Sequence, residues 1–97
     1  SGLVEALAVA RDEVQARGSA EARFQLARAL AWSGKRDEAI TQIQAALATG
    51  AREAQYYELA SRLELAAGNV ARAVTYTRLA DSIDPASAGW RRLGLPR

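Results

Sequence analysis

The chain contains no cysteine, no histidine and no methionine. Without cysteine there is no disulfide framework and no thiolate metal site, and without histidine the commonest general base and metal ligand is missing. Aromatic residues make up 6% of the 97, proline occurs twice, and one lysine stands among thirteen basic residues. No apolar run approaches the ~20 residues of a membrane-spanning helix, which argues against direct membrane insertion. Neither sign of charge dominates. Thirteen basic and eleven acidic side chains leave +2, and the signs interleave, so the clustered positive footprint of a nucleic-acid or anionic-membrane binder is missing. Carboxylates, three tyrosines, Lys35 and scattered hydroxyls remain for chemistry. The acids that pair do so with arginine at i,i+4, Glu13 with Arg17 and Glu58 with Arg62, as on a solvated helix face. No carboxylate-rich loop for a cation and no phosphate-cradling glycine loop is present. The expectation is a domain without catalysis, metal or cofactor.

Alanine is abundant instead: 23 residues, a composition that favours close-packed helices over strands. Gly18, Gly34, Gly50, Gly68 and Asp84-Pro85 punctuate the chain at intervals of one short helix. Between them lie segments 3–17, 20–33, 36–49, 53–67, 70–83 and 87–94, each with apolar residues at helical spacing. Leu26, Ala27, Leu30 and Ala31 share one side of the second segment, and Ala39, Ile40, Ile43, Ala46 and Leu47 one side of the third. Helices this short are unstable alone, so each stripe must be buried, and the short loops make neighbours antiparallel. The fold class expected is all-α, a single domain of about six helices arranged as hairpins.

The segments also repeat. Gly34, Ala39, Ile40 and Ala46 return 34 residues later as Gly68, Ala73, Val74 and Ala80. Upstream the side-chain match falls at 33, with Phe24, Leu26, Ala27 and Leu30 returning as Tyr57, Leu59, Ala60 and Leu63; this implies one extra residue between Leu63 and Gly68. At the same offset Ala6, Leu7, Ala10 and Val14 prefigure Ala39, Ile40, Ile43 and Leu47, which makes the first helix the second half of a repeat.

This pattern resembles the tetratricopeptide repeat, a helix pair of about 34 residues with W-x2-L-G-x2-Y in the first helix and A-x3-F…A…P in the second. Leu26, Ala27 and Leu30, then Ala39, Ile43 and Ala46, stand at its positions in one repeat. Tyr56, Leu59, Ala60 and Leu63, then Ala73, Thr77, Ala80 and Pro85, do so in the next. Trp90-Arg91-Arg92-Leu93-Gly94 is a literal W-x2-L-G that resembles the helix capping such arrays. Arg23 departs from the pattern at its large aromatic position, and so do Gly50-Ala51 where Asp-Pro is usual. The resemblance implies a right-handed superhelix of antiparallel hairpins, an α-solenoid: a half repeat over 1–18, repeats over 20–50 and 53–85, and a capping helix and tail over 86–97.

In this family the first helices line a concave groove in which extended peptides or helices dock, so the resemblance implies a protein-binding site off the packing stripes. Glu21, Gln25, Arg28 and Trp32 share that ridge in one repeat. At an offset of 33, Ala54, Glu58, Ser61 and Leu65 share it in the next. Trp32 and Leu65 then become equivalent apolar side chains where solvent would select polar ones. Trp32 reads either as a ligand anchor, with Arg28 one turn away to pair a carboxylate or stack on the indole, or as packing between hairpins. Glu21 and Glu58 disfavour both an acidic chaperone tail and base-reading of RNA. A second stripe, Tyr76, Leu79 and Ile83, separate from the expected core stripe of Val70, Ala73, Val74, Thr77 and Ala80, either receives Trp90 and Leu93 of the cap or forms a convex patch for self-association or a partner domain. Leu3, Leu7 and Ala10 of the first helix are expected to be partly uncovered, inviting an upstream repeat or end-to-end pairing.

The function these features imply is a non-catalytic scaffold or adaptor that binds a peptide or helical segment in its groove. The alternative is an auxiliary assembly or oligomerisation domain of a larger enzyme or secretion protein. Twelve arginines to one lysine point to a GC-rich, bacterial genome. The opening Ser1-Gly2 without methionine reads as an excised piece, which leaves cytoplasm and periplasm both open. Small residues at 46 and 80 are expected to set the close approach of helices, so Ala46→Leu and Ala80→Leu should each cost about 1–3 kcal/mol by overpacking. Thermal melts indistinguishable from wild type for both variants would contradict the repeat assignment.

Overall fold

The computed structural model describes residues 2–86, and these are helical throughout apart from short turns, with no strand among them. Five helices follow in order: α1 Gly2–Arg17, α2 Ala20–Trp32, α3 Arg36–Ala48, α4 Ala54–Ala66 and α5 Val70–Ile83. The expected sixth helix, with Trp90 and Leu93, lies outside the described residues. The chain divides into two compact units, residues 1–51 with α1 to α3 and residues 52–97 with α4 and α5. In the first unit α2 packs against both α1 and α3; in the second α4 packs against α5.

A glycine in the left-handed region follows each of α1 to α4. Gly18, Gly34, Gly50 and Gly68 have φ of 61°, 77°, 88° and 87°. Two of these turns are the same turn. After α2, Gly34 N–H donates to Ala31 C=O at 3.1 Å and Lys35 N–H to Leu30 C=O at 2.9 Å. After α4, Gly68 N–H donates to Leu65 C=O at 3.0 Å and Asn69 N–H to Glu64 C=O at 2.8 Å. Both are Schellman closures, in which the last free carbonyls of a helix are satisfied by the two residues that follow it. Lys35 (φ −93°, ψ 66°) and Asn69 (φ −91°, ψ 70°) then launch α3 and α5 with matching backbones. The α1–α2 junction is tighter: Gly18 N–H donates to Val14 C=O at 2.8 Å, and Ser19 Oγ accepts from Ala22 N–H at 3.1 Å as the N-cap of α2.

The turns therefore correspond at an offset of 34, and α2 and α4 have equal lengths on the same offset. No extra residue sits between Leu63 and Gly68. The upstream match at 33 is a side-chain likeness displaced by one place along the helix. In the backbone, Leu30 corresponds to Glu64, Ala27 to Ser61 and Trp32 to Ala66.

The core is built largely of small side chains. Alanines 27, 39, 46, 60, 73 and 80 are at most 4% exposed, and Ala46 and Ala80 are completely covered. Larger groups fill around them: Phe24, Leu26 and Leu30 of α2, Ile43 of α3, and Tyr56 and Leu63 of α4. Arg23, at the place where the repeat pattern has a large aromatic, is half-buried and donates from Nη1 to Gln42 Oε1 of α3 at 3.3 Å. One stripe departs from the sequence expectation. Val70 and Val74 of α5, expected to be core, are 57% and 43% exposed, because α4 covers the Ala73 and Ala80 side of that helix. A Cβ added at Gly34 or Gly68 meets nothing within 4 Å, so alanine there carries backbone strain alone. Gly34→Ala and Gly68→Ala should each lower stability by about 1–2 kcal/mol, read as a shift in denaturation midpoint with unchanged slope.

Candidate functional site

The four ridge residues of α2 come together in one groove of the first unit. Its volume is about 820 Å³, and its walls are α1 and α2. Ala6 and Ala10 of α1 and Ala22 and Ala29 of α2 contribute small side chains to the lining, and Leu3, Val9 and Trp32 contribute large ones. Antiparallel packing places the start of α1 beside the end of α2, so Leu3 and Trp32 share the apolar end. Glu13, Arg17, Ser19 and Glu21 share the polar end. Trp32 is 81% exposed, the largest exposure of any bulky apolar side chain described.

The polar members of this ridge are ordered by one another. Gln25 Nε2 donates to Glu21 Oε1 at 2.8 Å, and Arg28 Nη1 donates to Gln25 Oε1 at 3.3 Å. Gln25 is thus held at both ends of its amide. The Arg28 guanidinium lies over the face of Phe24, 5.6 Å from the ring centroid, a cation–π contact made on Phe24 rather than on Trp32. At the polar end Arg17 Nε and Glu13 Oε2 form the expected i,i+4 ion pair at 3.3 Å. The helices α1 and α3 are also bridged, by Arg11 and Glu38 at 3.1 Å. The helix α1 buries no residue completely, and Leu3, Val4 and Val9 are exposed while Leu7 and Ala10 are half-buried.

The second unit places its ridge residues differently. Ser61 is half-buried and faces α5: its Oγ donates to Ala73 C=O at 2.9 Å and lies 2.7 Å from Thr77 Oγ1. That follows from the backbone correspondence with Ala27, a fully covered packing position. Glu58 is half-buried, whereas Arg62 is exposed and forms no ion pair, so the Glu58–Arg62 pair expected from spacing does not close. Leu65 is 58% exposed. It borders a smaller groove of about 330 Å³ with Ser61, Val70, Ala73, Val74, Thr77 and Arg78. The ridge residues of the two repeats thus fall into separate settings within the two units, and Trp32 and Leu65 do not hold corresponding backbone positions. On α5, Tyr76 is half-buried with its ring 6.0 Å from that of Tyr57, and Leu79 and Ile83 are half-buried. Trp90 and Leu93, the other half of that expected interface, lie outside the described residues.

Glu64 was not singled out by sequence reasoning. Its residue exposure is 1%. Oε2 accepts from Asn69 Nδ2 at 3.0 Å and from Arg72 Nη1 at 3.3 Å, while Oε1 has no donor. In a Schellman closure these two helix-end positions usually make an apolar contact; here Glu64 and Asn69 join them by a hydrogen bond. Neither a protein-family model nor a curated protein matches the chain. No helix among the described residues is long and apolar enough to cross a membrane.

Because Glu64 stands where the first hairpin has Leu30, Glu64→Leu should be neutral or stabilising, replacing a charge with only partial compensation by an apolar group. Arg72→Ala leaves that charge with Asn69 alone and should cost about 1–2 kcal/mol. Urea denaturation of the two variants distinguishes these outcomes, and a loss in Glu64→Leu as large as that in Arg72→Ala would show the carboxylate itself to be required.

Proposed function

We propose that the chain is a non-catalytic protein-interaction module of tetratricopeptide-like architecture, taking a peptide or helical segment of a partner in the groove between α1 and α2. The observation that carries this reading is Trp32, 81% exposed on a wall whose polar residues are already ordered by one another. An exposed indole on a small-residue floor can be covered by a ligand at low conformational cost, which is the character of a binding hot spot. The matching hairpin turns, 34 residues apart, support the repeat architecture from which a right-handed superhelix would follow. The alternative, an auxiliary assembly domain of a larger protein, draws on α1, which buries no residue and leaves Leu3, Val4 and Val9 exposed around its circumference for another part of the same assembly to cover.

The test is affinity capture from a bacterial lysate with the wild-type chain, Trp32→Glu and Leu65→Ser, after circular dichroism shows equal helicity. Capture of a distinct protein by wild type and Leu65→Ser but not by Trp32→Glu is the expected result. Equal capture by all three would remove the α1–α2 groove as the working site, and loss with Leu65→Ser alone would move it to the α4–α5 groove.

A further inference from the structure

We infer that the α1–α2 groove selects an amphipathic helix bearing a single carboxylate one helical turn from a bulky apolar side chain, with Arg28 receiving the carboxylate and Trp32 the apolar group. This rests on the reading of the groove as a binding site and specifies its ligand. The first argument is charge. Five ionisable side chains line the groove: Glu5, Glu13, Arg17, Glu21 and Arg28. Arg17 is paired with Glu13, and Glu21 accepts from Gln25. Arg28 is the cation left without a carboxylate among the described lining residues; it uses one N–H on the neutral Gln25 oxygen and rests its face on Phe24. Its remaining donors are unused, and the Phe24 and Gln25 contacts hold the guanidinium in place before any ligand arrives.

The second argument is shape. Alanines 6, 10, 22 and 29 set between two adjacent antiparallel helices allow a third helix axis to approach closely, as small residues do at helix interfaces. An extended strand would leave its backbone groups unpaired against such a floor, whereas a helix satisfies its own. Trp32 lies four residues beyond Arg28, about 6 Å along the α2 axis, so a ligand helix matches both with side chains three or four residues apart. Glu5 on the opposite wall repels further negative charge, which limits the ligand to one acid on the α2 side and excludes acidic runs.

The experiment is selection from a displayed library of 14-residue helical peptides on the full chain, with Arg28→Gln, Arg28→Lys and Trp32→Ser as parallel baits of equal helicity. Wild type should enrich Asp or Glu three or four residues from Leu, Phe or Trp. Selected peptides should bind Arg28→Gln about tenfold more weakly, Arg28→Lys with a smaller loss, and Trp32→Ser not measurably. Peptides lacking the acid, or binding Arg28→Gln undiminished while still requiring Trp32, would overturn this inference and leave the groove reading standing. No enrichment on wild type would likewise overturn the inference of a helical ligand, and selected peptides indifferent to Trp32→Ser would overturn both.

Discussion

The glycine turn in the left-handed region is the constraint on which the rest of this structure depends. An α-helix ends with free carbonyls, and a chain that must reverse within two or three residues has few ways to satisfy them. A residue at positive φ lets the next two N–H groups fold back onto those carbonyls, and only glycine takes that conformation without steric cost. Once the turn is fixed, so is the rotation at which the following helix starts. The Gly34 and Gly68 turns share their hydrogen bonds and flanking dihedrals, so α3 returns along α2 as α5 returns along α4.

That fixed rotation explains which side chains are inside. Packing at the hairpin falls to residues of one phase, and the phase is occupied by alanine at 27, 39, 46, 60, 73 and 80. Small side chains let axes approach and leave little room for error, since an added methylene group has no void to enter. The same phase carries Glu64 into the place of Leu30, nearly inaccessible to water. Burying a carboxylate is unfavourable unless it is paired and hydrogen-bonded, and Arg72 and Asn69 supply those partners from the turn and the start of α5. Asn69 thereby gives up the capping role its side chain often plays.

Much of the fold was legible in the sequence. The five described helices begin and end within one residue of the segments marked by glycine and apolar period, because turn chemistry and helical periodicity are local properties. The small-residue core was legible for the same reason. What failed was the phase of α4. Tyr57, Leu59 and Leu63 look like Phe24, Leu26 and Leu30 at an offset of 33, and side-chain likeness outweighed the glycine spacing of 34. Hydrogen bonds fix the turn; likeness among apolar residues does not, since Leu and Tyr serve at neighbouring positions of a broad stripe. The error carried into the site, making Ser61 the counterpart of Arg28 when its hydroxyl is bonded to α5, and making Leu65 the counterpart of Trp32. Glu64 escaped notice because a glutamate among arginines reads as a surface pair unless the phase of its helix is known. On α2, where no offset was needed, Glu21, Gln25, Arg28 and Trp32 do line one groove.

The asymmetry between the two faces of α2 accounts for that groove. Its inner stripe, Leu26, Ala27 and Leu30, is fully covered, while the opposite neighbour α1 buries no residue of its own. A helix of 16 residues with so little buried surface is held by the Gly18–Ser19 junction, the Arg11–Glu38 bridge and partial contact with α2. Such attachments orient α1 without exhausting its apolar face. The wall it builds is therefore open beside an ordered polar ridge and an exposed indole. A third helix laid there would bury the side of α1 that the unit leaves uncovered and, in the same step, neutralise Arg28. The completion of the helical packing and the occupation of the site are, on this view, one event.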